Sequence, residues 1–230
     1  MQTTETRRWR FQGPEMEGPL ARWYARVRGS DTQLDLYRRQ ARQLTEGLAE
    51  GARVLEVAPG PGYLAIEMAR LGKFEVTGLD ISRTFVQIAG DNARQAGVKV
   101  DFRQGDVAAM PFEAGTFDLI VCEAAFKNFT LPHTALAEMH RVLRRGGTAV
   151  IQDMSSDATH EDIAREVESM RLGRFASFTT RATLEMLKRR AYSPGRFASL
   201  AAASPFRTAA IATEGIGLEV RLEKEEQAVA

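Results

Sequence analysis

The sequence predicts an α/β fold built on a doubly wound, mostly parallel sheet of seven strands. Three observations support this prediction. Strand-like and helix-like apolar patterns alternate through the middle of the chain, a glycine turn follows the first strand, and isolated acids end the next two strands. Such alternation is typical of right-handed βαβ units, in which successive strands are parallel and helices cover the sheet.

The first predicted helix begins at Ser30 or Asp31, since either side chain can cap it. Its apolar residues repeat at helical spacing as far as Leu48, and Gly51 follows the last of them. Further helices lie between the strands, and Ser82 is expected to cap one of them. The strands of the parallel sheet are expected near residues 53–57, 74–79, 98–102, 117–122 and 148–153.

The segment 54–64 has the pattern of an apolar strand that enters a glycine turn and then a helix. Glycines in such a turn let the backbone approach a ligand closely. Glu56 is exceptional, because a carboxylate inside a buried strand needs amides, water or a positive ligand group as its partner. Asp80 is placed to accept hydrogen bonds from ribose hydroxyls, and Asp106 to accept one from an exocyclic amine such as adenine N6. The pattern therefore predicts a nucleoside-binding site.

Two cofactor classes fit this turn. Residues 60–65 match the loose G-x-G-x-x-G/A pattern of dinucleotide-binding proteins, and Asp80 stands where their ribose-binding acid is expected. A pyrophosphate at the helix N-terminus would, however, meet the carboxylate of Glu56. S-adenosylmethionine has no phosphate but carries an ammonium and a sulfonium, so the charge of Glu56 favours this cofactor over NAD.

The pattern changes after residue 153. Helices are expected near 159–172 and 180–191, and Ser193 followed by Pro194 predicts a further helix start. Two β-rich runs around residues 214–215 then predict a hairpin. We divide this single domain into an N-terminal helical cap (1–50), a cofactor-binding core (51–154), a helical lid (155–206) and a terminal hairpin (207–223).

Composition narrows the class of protein. With 230 residues, of which 44% are hydrophobic, the chain can bury one sizeable core. A formal net charge of +1 gives no global electrostatic reason to bind nucleic acid. The single cysteine, Cys122, rules out an intrachain disulfide and a multi-cysteine metal cluster. No membrane-spanning run or signal peptide is recognisable, so we expect a cytoplasmic enzyme.

Residues 54–153 resemble the class I S-adenosylmethionine-dependent methyltransferases, and especially the small-molecule branch that includes the ubiquinone and menaquinone C-methyltransferases. The similar motifs occur in the family's order, at 54–62, 78–82, 104–107, 117–122 and 138–147. The resemblance implies a Rossmann-like sheet with an antiparallel last strand and helical lid elements. Its implied activity is methyl transfer from S-adenosylmethionine, with S-adenosylhomocysteine as the product.

The same resemblance implies roles for particular residues around the cofactor. Asp80 would bind the ribose, and Ile81 would cover a face of the adenine. Ala58 replaces a glycine that the family usually has, and we expect tighter packing there without loss of binding. The complete set of candidate cofactor-binding residues is Glu56, Ala58, Gly60, Gly62, Asp80, Ile81, Asp106, Val107 and Glu123.

The acceptor is expected beside the ends of the fourth and fifth strands, at 123–129 and 153–154. Segments 1–30 and 155–205 are candidates to roof this site, and their aromatic residues suggest an apolar or aromatic small molecule. The possible wall residues are Trp9, Phe11, Trp23, Tyr24, Phe175, Phe178, Tyr192 and Phe197.

In-line displacement at a sulfonium requires neither a covalent nucleophile nor a metal, so alignment and desolvation can supply most of the catalysis. A general base is optional. The candidate catalytic residues are Lys127, His133, Asp153 and Tyr24, with His160 as a further candidate base. His140 shares a helix face with apolar residues and is interpreted as structural.

Other functions remain open at this point. The site could bind S-adenosylmethionine for different chemistry or as a noncatalytic sensor, or the chain could be an NAD-dependent oxidoreductase. Residues 123–129 lack the Asp/Asn-Pro-Pro-aromatic run of the amino-group methyltransferases of DNA, which disfavours nucleic acid as the acceptor. The sequence does not distinguish O-, N-, C- and S-methylation, and the apolar stripe along 34–48 also leaves a homodimer open.

Overall fold

The computed structural model of the chain describes residues 16–225. The helices in this part are α1 (Gly18–Arg28), α2 (Asp31–Leu44), α3 (Tyr63–Arg70), α4 (Arg83–Ala96), α5 (Pro132–Val142), α6 (His160–Ser169), α7 (Arg174–Lys188) and α8 (Pro194–Ala202). The strands are β1 (Arg53–Val57), β2 (Glu75–Asp80), β3 (Asp101–Gln104), β4 (Phe117–Glu123), β5 (Leu143–Met154), β6 (Ala210–Glu214) and β7 (Gly217–Glu223).

The strands form one seven-stranded sheet in the order β3-β2-β1-β4-β5-β7-β6. Strands β1 to β5 are parallel, and β7 runs antiparallel to both of its neighbours. The doubly wound sheet with an antiparallel last strand is therefore confirmed. The strand order reverses between β1 and β4, and a crevice opens beyond the carboxyl ends of the strands at such a point.

Side chains alternate between the two faces of the sheet and form two separate cores. On one face, Val54 and Val121 pack with α2 and α3. On the other, Leu55 and Val57 pack with α5, α8 and β7. Because side chains alternate along a strand, Glu56 shares the face of Val54 and lies beneath α2 and α3.

Two predicted boundaries were wrong. The third strand was expected at 98–102 but begins at Asp101, since Gly97 ends α4 in the left-handed conformation and residues 98–100 lead back to the sheet. The helix expected at 180–191 begins at Arg174 and ends at Lys188. The first half of this helix is exposed and has few apolar residues that face the protein. The apolar pattern of the sequence therefore did not predict this part of the helix.

The segment 155–206, predicted as one lid, divides into two parts. Helices α6 and α7 pack on each other around a small cluster that includes Ile163, away from the two main cores. Helix α8 instead buries Phe197 and Leu200 in the core beneath the sheet, because its apolar residues face α5 and the hairpin. Only α6 and α7 are thus free to roof the site. Each helix among residues 16–225 is too short or too polar to cross a lipid bilayer.

Candidate active site

The turn after β1 has the backbone geometry of a ligand-binding loop. Gly60 and Gly62 both adopt left-handed conformations, with φ of 54° and 80°, and Gly62 directly precedes α3. Ala58 is also left-handed, at φ 55°, which is a strained conformation for a residue with a side chain. Its amide donates to the carbonyl of Leu79 (2.8 Å), and the residue packs against a main core.

The two glycines have different surroundings. Among the described residues not adjacent to it in the chain, a methyl group at Gly60 would have Tyr24 alone within 4.0 Å, and Gly60 lines the cavity above the sheet. A methyl group at Gly62 would lie 2.6 Å from the ring of Phe102 and 2.8 Å from the Cβ of Ala89. Gly62 also lies outside the cavity lining. The packing of α3 against α4 and β3 is therefore sufficient to require a glycine at position 62, and its predicted contact with the ligand stays a prediction.

Asp80 holds this loop to the end of β2. Its Oδ2 accepts a hydrogen bond from the amide of Gly60 (2.9 Å), and its Oδ1 accepts one from the amide of Ser82 (2.8 Å). Burial raises the pKa of Asp80 to about 6, against the effect of these amides. A carboxylate has about four lone-pair sites, so both oxygens can still accept hydrogen bonds from ribose hydroxyls.

Glu56 is buried at the same edge, and its Oε2 has no hydrogen-bond partner within the described residues. Burial raises the pKa of Glu56 to about 8, the nearby carboxylate of Glu123 adds to this shift, and the amide of Ala65 opposes it. An unpaired buried carboxylate is costly unless a ligand supplies the missing charge. Glu56 lines the cavity, so a positively charged ligand group can be its partner.

The far end of the cofactor side contains the residues expected around an adenine. Ile81 and Val107 are half-buried and line the cavity. Asp106 caps a short 3-10 turn at 107–109, where its Oδ1 accepts from the amide of Ala108 (2.8 Å). Its other oxygen accepts no hydrogen bond within the described residues and can accept one from an exocyclic amine.

Sequence reasoning missed a cation above the sheet. The Nη2 atom of Arg28 lies 3.1 Å from Oε1 of Glu123, and its guanidinium stacks 5.3 Å from the ring centre of Tyr37. Burial raises the pKa of Glu123, although the charge of Arg28 opposes that shift. Tyr24 lies one turn before Arg28 on α1 and also lines the cavity. The i, i+4 spacing of Tyr24 and Arg28 predicts that both side chains lie on one face of a helix. It does not show that this helix, α1, ends over β4.

Two polar networks line the acceptor side of the cavity. Lys127 donates to Oδ1 of Asp153 and to the carbonyl of Ala124, both at 2.6 Å, and the two charged side chains are almost fully buried. The second network, also missed from the sequence, runs from Gln40 through Gln152 to the carboxylate of Glu219. Both networks stand at the ends of β4 and β5, where the acceptor was expected.

Several predicted site residues lie elsewhere. His133 is exposed in the first turn of α5 and does not line the cavity, so its proposed catalytic role is not supported by its position. His160 pairs with Glu185 on the surface of the α6–α7 hairpin. Phe197 is buried in the core, and Trp9 and Phe11 lie outside the described residues.

The position of His140 agrees with its interpretation as a structural residue. It packs edge-on against Phe206. Cys122, the single cysteine, is fully buried. Phe175 and Phe178, expected as possible walls of the pocket, are instead largely exposed on α7.

The cavity beyond the strand ends has a volume of about 1880 Å³. Pockets for a single small ligand usually measure about 300–1,000 Å³. The space therefore accommodates a nucleoside cofactor together with a second molecule of similar size.

Comparison with known proteins agrees with this geometry. Residues 54–147 match the model of a methyltransferase domain family. This range contains β1 to β4, the glycine loop and the acids at positions 56, 80 and 106. The cofactor-side part of the chain is therefore similar to a methyltransferase domain.

Curated relatives include quinone methyltransferases. A demethylmenaquinone methyltransferase of Thermus thermophilus is 37% identical over 100 residues, which cover 43% of this chain and 46% of the relative. A ubiquinone/menaquinone biosynthesis C-methyltransferase of Geotalea uraniireducens is 31% identical over 112 residues, 47% of this chain and 48% of the relative. The chain thus matches about half the length of these relatives.

Solved structures show the same fold. A SAM-dependent methyltransferase from Aquifex aeolicus superposes with a TM-score of 0.67 over 87% of this chain and 96% of its own, at 18% identity. The [4+2]-cyclase SpnF is 29% identical, with a TM-score of 0.50 over 53% of this chain and 47% of its own. The fold therefore extends well beyond the segment that sequence similarity covers.

S-adenosylmethionine is the cofactor that the similarity to methyltransferase domains implies, and the described residues fit it. The unpaired oxygen of Glu56 requires a positive group, which the cofactor's amino-acid portion and sulfonium can provide. Asp80 offers acceptors to the ribose diol, and Gly60 leaves its side of the loop open to the ligand.

Alanine substitutions at Gly60 and Gly62 should show which glycine is required for packing and which for the approach of the ligand. Gly62→Ala is expected to lower the free energy of unfolding by roughly 2–4 kcal/mol, through overpacking and left-handed strain. Gly60→Ala should cost roughly 1–2 kcal/mol from strain alone but weaken S-adenosylmethionine binding at least roughly tenfold. Urea unfolding and calorimetric titration measure these quantities. Unchanged cofactor affinity in Gly60→Ala would show that the loop does not contact the ligand.

Glu56→Gln should stabilise the ligand-free protein and weaken cofactor binding. A carboxyl group with a raised pKa binds its proton more tightly in the folded state, so its contribution to stability is lost as pH rises from 4.5 toward about 8. At pH 8.5 the variant should therefore melt roughly 2–4 °C higher than the wild type. Its affinity for S-adenosylmethionine should fall at least roughly tenfold.

Titrations near pH 7 in two buffers of different ionisation enthalpy should also detect proton release when the wild type binds cofactor. The release should vanish in Glu56→Gln. Glu67→Gln is the matched control, because Glu67 is equally buried but pairs with Arg38 and Arg70 outside the cavity. If both variants bind alike, Glu56 does not bind the cofactor.

Proposed function

We propose that this protein transfers a methyl group from S-adenosylmethionine to a small organic acceptor. The observation that carries the proposal is the buried, unpaired carboxylate of Glu56 in a cavity with room for two ligands. A pyrophosphate cofactor would place negative charge near this acid, whereas S-adenosylmethionine brings positive charge. The negative charge of Glu56 therefore argues against an NAD-dependent oxidoreductase.

When bound, S-adenosylmethionine supplies an electrophilic methyl group whose transfer leaves a neutral thioether. The residues of this chain have to align the acceptor and exclude water. Tyr24 lies over the glycine loop, within 4.0 Å of the position of a Cβ at Gly60, and its ring packs against Phe85. This position supports a role for Tyr24 in covering the cofactor on the solvent side. Such positioning can account for a large part of the rate enhancement of a displacement reaction.

An aromatic acceptor of the quinol type is the class that we propose first. The acceptor end of the cavity combines apolar surface from Phe129, Leu184 and Leu187 with a few polar groups. Relatives named for quinone methylation share the matched half of the chain. A quinol has a flat apolar ring and hydroxyl groups, which suits such a lining.

Lys127 is proposed to orient the acceptor and stabilise negative charge on its oxygen. An ammonium has three protons, and Lys127 uses two of them for Asp153 and Ala124. The third is available to an acceptor oxygen, whose negative charge it would stabilise. A lysine held by a carboxylate in this way is a donor and not a general base, so this role replaces the base expected from the sequence. Asp153 then acts as a positioning residue.

Other parts of the functional prediction also remain proposals. We propose a cytoplasmic enzyme that does not act on nucleic acid, in agreement with its net charge of +1. A homodimer through α2 is not favoured by the structure. Its apolar residues Tyr37, Ala41 and Leu44 cover the sheet and so are not exposed to a second copy.

The proposed function is tested first by calorimetric titration with S-adenosylmethionine, S-adenosylhomocysteine and NAD. We expect binding of the first two, loss of binding in Asp80→Ala, and no binding of NAD. Transfer of a labelled methyl group to reduced naphthoquinones that lack a ring methyl group should follow, with phenols, amines and thiols as further acceptors. Binding of NAD alone would refute the proposal, and cofactor binding without transfer to any acceptor would support a noncatalytic or different role.

Variants of the Lys127–Asp153 pair should distinguish catalysis from structure. Lys127→Met leaves a buried unpaired carboxylate and should lower the free energy of unfolding by roughly 3–5 kcal/mol. The double variant Lys127→Met/Asp153→Leu should recover part of this stability, since it removes both charges. Methyl transfer should remain at least roughly tenfold slower in both variants. A double variant with restored stability and normal turnover would show that the pair is purely structural.

A further inference from the structure

Helix α7 has apolar residues on two opposite faces. At 100° per residue, Leu184 and Leu187 face inward and pack on the cluster that includes Ile163. Phe175, Phe178, Ala182 and Met186 share the opposite face within about 80° of one another. We call these four residues the outer face of α7.

The outer face has no partner within the described residues. Phe175 is 82% exposed, Phe178 is 73% exposed and Met186 is 56% exposed. Met170 and Leu172, in the turn before α7, are also exposed and extend the apolar surface. Single exposed apolar residues are ordinary, but a contiguous stripe with two phenylalanines marks an interaction surface.

Helix α7 and the turn before it are rich in arginine. Arg171, Arg174, Arg181 and Arg189 are exposed, and Glu185 is the only acid between residues 171 and 189. Among residues 16–225, no carboxylate pairs with any of these four arginines. Glu185 is itself paired with His160. Apolar side chains flanked by unpaired arginines are the chemistry of a helix that lies at the interface of an anionic membrane.

The outer face is continuous with the mouth of the active-site cavity. Met186 belongs to both, since it is exposed and lines the cavity. Other exposed apolar residues of the chain also line the cavity, among them Leu20, Trp23 and Leu131. An apolar acceptor dissolved in a bilayer could therefore pass from the lipid to the site along apolar surface.

We propose that the outer face of α7 docks on the surface of an anionic lipid bilayer. The arginines approach the phosphate groups, and Phe175 and Phe178 enter the boundary between headgroups and acyl chains. A second copy of this chain is a poorer occupant, because a twofold interface through this face would bring the same arginines together. The proposal does not depend on methyl transfer, since docking requires no turnover.

The test is co-sedimentation of the full chain with vesicles of equal parts phosphatidylcholine and phosphatidylglycerol. The wild type should bind these vesicles and bind pure phosphatidylcholine much more weakly. Phe175→Ser/Phe178→Ser should weaken partitioning at least roughly tenfold. Phe175→Leu/Phe178→Leu should retain binding within about twofold, because leucine preserves the apolar character.

The charge contribution needs a separate pair of variants. Arg174→Gln/Arg181→Gln should lose roughly fivefold in binding for each arginine, and added salt should reduce the difference. Arg94→Gln/Arg103→Gln removes the same charge from α4 and β3 and should bind like the wild type. Circular dichroism confirms that every variant is folded, as expected for exposed positions.

Three results would overturn the proposal. The first is a wild type that does not bind the anionic vesicles. The second is undiminished binding in the serine variant, which would place the membrane contact elsewhere. The third is a solution dimer that the serine variant dissociates, since a second copy would then occupy the outer face. Retained methyl transfer without vesicle binding would refute the docking surface alone and leave the proposed function intact.

Discussion

The carboxylate of Asp80 is the interaction on which the site depends. One of its oxygens holds the amide of Gly60 and the other holds the amide of Ser82. Ser82 in turn caps α4 by accepting from the amide of Phe85, and its hydroxyl donates to the carbonyl of Met16. One buried acid therefore connects the glycine loop, the end of β2, the start of α4 and the segment before α1. Its hydrogen bond to Gly60 helps to hold the loop, in which residues 58, 60 and 62 are left-handed.

The electrostatics of the site are arranged for a ligand and not for maximal stability. Glu56, Asp80 and Glu123 lie at one edge of the sheet, and burial raises the pKa of each. Arg28 pairs with Glu123, while the free oxygen of Glu56 stays without a partner in the described part of the chain. The rest of the fold has to offset the cost of these buried acids. A cationic ligand would relieve that cost, so binding and stability are linked through the same groups.

Positions near strand ends were predictable from the sequence, whereas the neighbours of each side chain were not. Asp80 was assigned correctly to the strand-end crevice because the strand pattern locates the carboxyl end of β2. The packing role of Gly62 was not predictable, because a glycine motif does not show whether a ligand or a neighbouring ring requires the missing side chain. That ring belongs to Phe102, forty residues away along the chain. The position of His133 outside the cavity lining was not predictable either, because nearness to β4 in sequence does not set the direction in which the first turn of α5 points.

By itself the sequence determined the class of fold, the glycine loop and the acids that surround it, since these follow from local periodicity, turn chemistry and the residue types. Only the tertiary structure decided that Arg28 reaches Glu123 and that Gln40 reaches Gln152. It also decided that α8 belongs to the core while α7 keeps an apolar face exposed. These outcomes depend on contacts between residues far apart in the chain. Local patterns do not encode such contacts, because each one depends on how whole elements pack against one another.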